Sequence, residues 1–512
     1  MESLVGRYHP PDGVYDEMFG QGDVRSSYRI SRELLAEMPD SEFVERADYV
    51  RSSYLDQGIT FDVGGVERPF PLDVVPRIIT AADWTQIEVG VQQRVTALEA
   101  FLADVYGPGK VFADGVVPRR LVATSTHYHR VAHGIRPSNG VRIHVSGTDL
   151  VRDAFGVFRV LEDNVRIPSG VSYVMTNRRA MSAAFPEWMG RYQVRPVHGY
   201  PQLLLNALRA AAPEGISEPN VVVLTPGVHN SAYFEHALLA RMMGVELVEG
   251  PDLFCEGGQV KARTTTGAQP VHVIYRRVDD DFLDPLYFRS DSVLGVAGVL
   301  AVAAAGGVTI ANAVGNGVAD DKLICTYVPD LIRYYLNAEP VLAGVDTWRL
   351  ENPGDRVEVL DRLAEMVVKP VDGSGGKGVV ICPAASPAEL DRLRAAILDE
   401  PRNWIAQPVV QLSTVPTVIK GELSPRHVDL RPFAVNDGEG VKVLPGGLTR
   451  VALGEGQLIV NSSQGGGSKD TWVLMDEGTG GPVRAQFWGS SQPSDDPETP
   501  DATTLATQIQ EA

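Results

Sequence analysis

Two polar motifs about two hundred residues apart constrain this chain most, because each lies beside an apolar, strand-like run. The first is Glu162-Asp163-Asn164, with Asp149 thirteen residues upstream, and the second is Lys369-Pro370 followed by a Gly/Ser/Lys loop at 373–378. Two carboxylates and an amide carbonyl are hard oxygen ligands that suit Mg²⁺. Glycine lets backbone N–H groups approach a polyanion closely. The two motifs together predict a magnesium and phosphate site assembled from distant segments.

The first motif predicts the metal ligands. Alternation along a strand places Glu162 and Asn164 on one face of a sheet and Asp163 on the other. The runs 141–145 and 157–161 read as strands on either side of Asp149. We therefore expect Asp149 and Glu162 on neighbouring antiparallel strands, with Asp149, Glu162 and Asn164 holding the metal. The alternative is an exposed strand end that binds nothing.

The second motif predicts a phosphate-binding hairpin. It is not a Walker A sequence, because Lys377 is followed by Gly378 and not by Ser or Thr. A Lys-Pro pair and a glycine-rich loop between two apolar strands are typical of a mobile hairpin that closes over phosphates. A plain glycine turn is the alternative, since such turns are common in hairpins.

The order of the motifs indicates a family. Ordinary ATP-grasp enzymes carry the lysine and glycine loop first and the Glu-x-Asn last, whereas this chain has the reverse order. Over about residues 75–475 it resembles the circularly permuted ATP-grasp family, in its glutathionylspermidine synthase-like and uncharacterised type 2 members. The resemblance implies an α/β fold with α+β lobes and a lid, and Mg²⁺ on Asp149, Glu162 and Asn164. It also implies ATP phosphates on Lys369, beside the loop residues Gly373, Ser374, Gly375 and Gly376.

Further site residues follow from the same resemblance. Lys322 resembles a second ATP lysine that precedes the lid, and Gln407 is placed like the hinge residue that contacts adenine. A solvated lysine after a helix cap is the alternative for Lys322. Arginine suits bidentate recognition of carboxylate or phosphate. Arg431 and Arg450 are therefore candidates for holding the acyl substrate or the transferred phosphoryl group, and a structural ion pair is equally compatible with the sequence.

One family residue is missing. Synthase relatives have an arginine two residues before the metal aspartate, and that position is Gly147 here. We expect Arg152 or Arg166 to replace it, and Arg166 is taken as the catalytic candidate.

The implied reaction is that of a cytoplasmic ligase. A substrate carboxylate would take the γ-phosphoryl group of Mg·ATP, and an amine or thiol would then displace phosphate from the acyl phosphate. The expected partners are small-molecule or peptide carboxylates and amines. A nucleotide-binding scaffold without turnover and an ATP-dependent phosphotransferase are the alternatives, and the sequence does not separate them. Nothing in it predicts the oligomeric state.

Composition excludes other classes. The formal net charge is −19, which argues against nucleic-acid binding. Three widely spaced cysteines without a Cys-x-x-Cys pair fit a reducing cytosol, and the first residues have no apolar leader segment. The uncharged segment 292–319 is long enough for a membrane span, but its glycine pair and asparagines favour a buried helix over about 292–305, a turn and a strand at 308–313.

These observations predict three regions. Residues 1–80 form an N-terminal extension and residues 81–477 the permuted ATP-grasp core. Within the core we expect metal ligands around 149–164, an α/β substrate lobe over about 195–325 and a lid lobe over about 365–410. Residues 478–512 are rich in Gly, Ser, Thr, Pro and acid, a composition that cannot bury much apolar surface, so we expect a disordered acidic tail.

Overall fold

The structure is a computed structural model that describes residues 4–20, 22–63, 66–372, 378–458, 460 and 466–476. Met1–Asp476 form one compact unit. The predicted tail at 478–512 lies outside the described residues, and so do the predicted loop residues Gly373, Ser374, Gly375 and Gly376.

The described residues form twenty-two strands and sixteen α-helices. The strands are β1 Phe19–Gly20, β2 Asp23–Val24, β3 Thr60–Val63, β4 Val66–Pro69, β5 Leu72–Ile79, β6 Val145–Arg152, β7 Phe158–Asn164, β8 Val221–Leu224, β9 Glu246–Val248, β10 Leu253–Glu256, β11 Gln259–Thr264, β12 Gly267–Val271, β13 Val273–Arg276, β14 Thr309–Ala311, β15 Trp348–Arg349, β16 Met366–Pro370, β17 Val380–Ile381, β18 Trp404–Pro408, β19 Thr414–Ile419, β20 Glu422–Asn436, β21 Val441–Val451 and β22 Gly467–Val473. The helices are α1 Arg29–Glu37, α2 Asp40–Asp56, α3 Ala81–Val105, α4 Lys110–Ala113, α5 Arg119–Ala123, α6 Val171–Ala184, α7 Pro186–Arg191, α8 Tyr200–Ala210, α9 Tyr233–Met243, α10 Asp280–Leu283, α11 Val299–Ala304, α12 Gly317–Asp320, α13 Lys322–Cys325, α14 Val328–Leu336, α15 Pro353–Asp361 and α16 Pro387–Asp399.

A seven-stranded sheet occupies the centre, in the order β5-β22-β21-β20-β6-β7, with β19 paired to β20. All its pairs are antiparallel except β5 with β22. Strand alternation gives it two covered faces. Val443 and Val473 point to the apolar cluster around α3, whereas the adjacent Leu444 and Trp472 point to the cluster around α6.

The first eighty residues are part of this core. They supply β5 to the central sheet, and their apolar residues share the cluster that contains α6. The fully buried Arg77 on β5 binds both carboxylate oxygens of Glu17 at 2.6 and 2.9 Å. Helix α3 follows β5 directly, and its N-cap Thr80 accepts a hydrogen bond from the backbone N–H of Asp83.

A second sheet is parallel, in the order β14-β13-β8-β9. Its strands β8 and β13 are buried at every position, which is why they read as continuous apolar runs. Beside it lies the antiparallel meander β10-β11-β12.

The uncharged segment 292–319 differs from its prediction. The helix covers only Val299–Ala304, and the strand covers Thr309–Ala311. Gly295 lies where an added Cβ would come 2.1 Å from the carbonyl oxygen of Leu283, so the chain packs too closely there for a regular helix with side chains. Within the part of the chain that the structure describes, no helix is long and apolar enough to cross a membrane.

A third sheet carries the second motif. Its strand order is β15-β18-β16-β17 and all its pairs are antiparallel. Helices α15 and α16 contribute Val359, Leu393 and Ile397 to its apolar core. Helix α16 begins with a capping box, in which Ser386 and Glu389 cap each other's backbone N–H groups.

Candidate functional site

The first motif lies on β7, at the edge of the central sheet. Asp149 on β6 is the direct antiparallel partner of Glu162, and Gly147 is the partner of Asn164. This confirms the expected pairing of the two carboxylate-bearing strands. The register shifts between Asp149 and Leu150, so that one extra residue, Leu161, is accommodated on β7.

Asp163 points to the opposite face, as the alternation predicts. Its carboxylate lies in the core and binds the guanidinium of Arg94 on α3, with the shortest contact at 2.5 Å. Thr148 donates a further hydrogen bond to it at 3.2 Å. Asp163 therefore anchors the strand from behind and leaves Glu162 and Asn164 on the polar face.

Asp149 is held by the two predicted arginines. Arg431 binds it through Nε at 2.5 Å and Nη2 at 2.7 Å, and Arg450 binds it through Nη2 at 2.8 Å. Arg450 also binds Asp429, the residue opposite it in the sheet. Burial alone would raise the pKa of the Asp149 carboxyl, but the two guanidinium groups outweigh burial and hold that pKa far below its usual value.

Arg431 occupies the space above Gly147. A Cβ at position 147 would lie 3.2 and 3.3 Å from side-chain carbons of Arg431. Arg431, which comes from β20, thus fills the space that a side chain at position 147 would need. Arg152, one predicted substitute, points elsewhere and binds Asp83 at 2.9 Å.

Arg166, the other predicted substitute, has acidic partners of its own. Its Nε binds Asp320 at 2.8 Å, and its Nη1 lies 3.1 Å from Asp279. No hydrogen bond among the described residues joins Arg166 to Asp149 or Glu162. Its predicted catalytic role stays a prediction.

Glu162 connects the first motif to the predicted lysines. The Nζ of Lys322 lies 3.5 Å from its carboxylate, and the backbone N–H of Lys322 donates to the carbonyl of Val371 at 3.3 Å. Burial, aided by Lys322 and opposed by Glu162, lowers the pKa of Lys369. The two lysines and the glutamate therefore lie within electrostatic reach of one another.

A cavity of about 430 Å³ adjoins this cluster. Lys322 and Gln407 supply polar groups, and Leu161, Val345 and Ile405 supply apolar walls. About half of the residues that line the cavity are polar or charged, and its volume lies in the range of small-molecule sites. The structure thus brings Lys322 and Gln407, which lie 85 residues apart, to the same cavity.

The predicted metal ligands differ in how available their oxygen atoms are. Among the described residues, no three His, Cys, Asp or Glu side chains are grouped to hold a metal, and the predicted set has two carboxylates and one amide. Three arginine hydrogen bonds leave about one of the four acceptor positions of Asp149 open. Glu162 is 30% exposed, and among the described residues the buried Nδ2 of Asn164 has no hydrogen-bond partner. The oxygen set fits Mg²⁺ in kind, with the carboxylate of Glu162 more available than that of Asp149.

Sequence reasoning missed Asn312 as a supporting residue. Its buried amide accepts hydrogen bonds from the backbone of His144 and Val145 and donates to the carbonyls of Val145, Val165 and Arg166. It follows β14 of the parallel sheet, so it fastens that sheet to the end of β7. Its position after a buried strand was the only available signal.

The family model for circularly permuted ATP-grasp type 2 matches residues 76–452. The chain belongs to this family. The resemblance inferred from the motif order and the α/β fold with its ATP-grasp lobes are thereby confirmed.

Several known proteins are close to this chain in sequence. An uncharacterised protein of Mycobacterium tuberculosis is 60% identical over 477 residues, which cover 92% of this chain and 87% of that protein. One from Synechocystis is 49% identical over 91% of this chain and 98% of its own length. A protein of Frankia casuarinae named "Putative glutamate--cysteine ligase 2-2" is 45% identical over 92% of this chain, which spans 54% of that longer protein.

A solved structure shares the fold. The apo form of a glutathione synthetase-like effector from Globodera pallida superposes with a TM-score of 0.55 at 10% identity, covering 86% of this chain and 98% of that one. At this identity the likeness concerns the fold alone.

Proposed function

We propose that this protein is an ATP- and Mg²⁺-dependent ligase that joins an amino-acid or peptide carboxylate to an amine or thiol. The observation that carries the proposal is the meeting of three distant segments at one cavity: Glu162 contacts Lys322, Lys322 and Gln407 line the cavity, and Gln407 binds Lys369 at 2.6 Å. The Frankia relative's name, with its glutamate and cysteine, supports a carbon–nitrogen ligase with amino-acid substrates.

In this proposal the cavity receives the nucleoside, and the two lysines receive its phosphates. Lys322 and Lys369 flank Glu162, so their charges lie where the phosphate chain would meet the metal ligands. Glu162, Asn164 and Asp149 would hold Mg²⁺, which when bound neutralises phosphate charge during transfer. Arg431 and Arg450 fix the orientation of Asp149, and Arg431 reaches over Gly147 to the same polar face.

The chemistry proceeds in two steps. A carboxylate oxygen of the substrate attacks the γ-phosphorus of ATP, the bond to the β-phosphate oxygen breaks, and ADP departs. An amine nitrogen or thiol sulfur then attacks the acyl carbon, and inorganic phosphate leaves. The protein contributes position and charge, for which orientation alone supplies effective molarities on the order of 10⁵ M or more. Closure of a lid excludes water, which would otherwise hydrolyse the acyl phosphate.

The test is ADP release with pools of amino acids, peptides and amines, followed by hydroxylamine trapping of active pools. A hydroxamate identifies an activated acyl group and supports the ligase. A stable phosphorylated product without hydroxamate would indicate that the protein is a phosphotransferase and not a ligase. Glu162→Gln, which keeps the side-chain size and removes the charge, is the matched control and should release no ADP. ATP binding without turnover in any pool would favour the scaffold.

A further inference from the structure

Lys369 and Gln407 are diagonal neighbours on adjacent strands. In the antiparallel pair β16–β18, Lys369 lies opposite Ile405 and Val367 lies opposite Gln407. Residues two apart on a strand share a sheet face, so both side chains project to one side. The Nζ of Lys369 donates to the Oε1 of Gln407 at 2.6 Å.

The other end of the Gln407 amide is also engaged. Its Nε2 donates to the hydroxyl oxygen of Thr347 at 2.9 Å. That hydroxyl in turn donates its proton to the carbonyl of Val345 at 2.8 Å. A threonine hydroxyl has one proton, so Thr347 accepts from the amide and cannot donate to it. Thr347 thereby directs the NH₂ group of Gln407 toward itself and leaves the amide oxygen facing Lys369.

This chain of hydrogen bonds continues to β7, the strand that carries Glu162. Val345 donates its backbone N–H to the carbonyl of Val160 at 3.0 Å, and Val160 donates to Ala343 at 2.9 Å. Val160 is two residues before Glu162 on β7. The position of the Lys369 ammonium is therefore tied through Gln407 and Thr347 to the strand that carries Glu162.

Gln407 is 4% exposed and lines the cavity. Both ends of its amide already make a hydrogen bond within the protein, which leaves one acceptor position on Oε1 and one proton on Nε2 for any contact with a base. The ammonium of Lys369 is half-buried and needs an acceptor, because an unpaired charge away from water is costly. Gln407 supplies that acceptor without adding a negative charge that would repel phosphate.

We propose that Gln407 is a positioning residue for Lys369, with Thr347 setting the direction of its amide, and that its effect on nucleotide binding is exerted through phosphate and not through adenine. The inference rests on the proposed function, in which Lys369 contacts the ATP phosphates. It departs from the sequence prediction of a direct adenine contact for Gln407.

Calorimetry with Mg·ATP and with adenosine tests it on four proteins: wild type, Lys369→Ala, Gln407→Leu and the double variant. We expect Gln407→Leu to weaken Mg·ATP binding about tenfold, to change adenosine binding less than about twofold, and to have no further effect on Mg·ATP when Lys369 is already Ala. Equal losses for ATP and adenosine, or full additivity with Lys369→Ala, would overturn the inference and make Gln407 a base-contacting residue.

A second pair of variants distinguishes the loss of the Thr347 hydroxyl from misfolding. Thr347→Val removes the hydroxyl at nearly constant volume and should weaken Mg·ATP but not adenosine, whereas Thr347→Ser should behave as wild type. If Val and Ser variants bind Mg·ATP equally, Thr347 does not direct the amide. Failure of the wild type to bind Mg·ATP would overturn the proposed function itself. If the wild type binds Mg·ATP and Lys369→Ala binds it with the same affinity, Lys369 does not contact phosphate. This inference would then fail while the proposed function would stand.

Discussion

Asn312→Ala should destabilise this protein more than an ordinary polar substitution. The Asn312 side chain is 1% exposed and makes five hydrogen-bond contacts, three of which share the two protons of its NH₂ group. It accepts from the N–H groups of His144 and Val145 at 2.7 and 2.9 Å, and it donates to the carbonyls of Val145, Val165 and Arg166 at 2.7, 2.9 and 3.1 Å. Alanine would leave all five backbone groups without this partner.

The magnitude follows from these bonds. Two accepted bonds and two N–H protons amount to about four full bonds. A net value of about 1 kcal/mol for each gives about 4 kcal/mol, and partial relaxation or entry of water lowers the loss to about 3 kcal/mol. Unfolding entropy is about 2.1 cal/mol/K per residue, so the free energy of unfolding of a cooperative unit that reaches Asp476 changes by about 1 kcal/mol per degree. We therefore expect the unfolding midpoint to fall by about 3–4 °C.

Differential scanning calorimetry without ligand measures this midpoint. Asn352→Ala is the matched control, because the exposed Asn352 makes one local bond, to the N–H of Gly354 at the start of α15. Loss of such a cap costs about 1 kcal/mol, which corresponds to about 1 °C here. Since Asn312 holds the residues that follow β7, Asn312→Ala should also weaken Mg·ATP binding, whereas Asn352→Ala should not.

Equal midpoints for the two variants would refute this reasoning. That result would mean that the backbone groups around Asn312 find other partners, and that the parallel sheet does not depend on this amide for its attachment to β7.

Three further outcomes are expected. Glu162→Ala and Asn164→Ala should each abolish ADP release while the calorimetric midpoint stays within about 1 °C of wild type; normal turnover in both would remove them from the metal set. Lys369→Ala should weaken Mg·ATP binding more than Lys377→Ala, and the reverse ranking would move the phosphate contact into the loop. The pKa of Asp149 is depressed in the folded protein, so its carboxylate stabilises the fold above its unfolded pKa of about 3.9 and loses that contribution as pH falls through the folded value. Urea titrations at pH 3 and 7 should show a smaller pH dependence for Asp149→Asn, and an unchanged dependence would contradict the depressed pKa.

The sequence by itself was sufficient for the family and for local structure. The order of the two motifs predicted a circularly permuted ATP-grasp fold, because motif order is a property of the chain and does not depend on packing. Alternation placed Asp163 opposite Glu162 and Asn164, since successive side chains of any strand point to opposite faces. The capping box at Ser386 is local in the same way, because its bonds lie within one helical turn.

Only the tertiary structure decided which charges meet. Asp149 is bound by Arg431 and Arg450, which are 282 and 301 residues away, and sequence left substrate binding and ion pairing open for both. Arg431 covers Gly147 because β20 lies beside β6, a neighbour relation set by sheet order and not by local sequence. The hydroxyl of Thr347, which comes from a third segment, donates its one proton to Val345 and accepts from the NH₂ group of Gln407. The amide oxygen of Gln407 therefore faces Lys369. Such contacts depend on register between distant strands, and register is fixed only when the whole core packs.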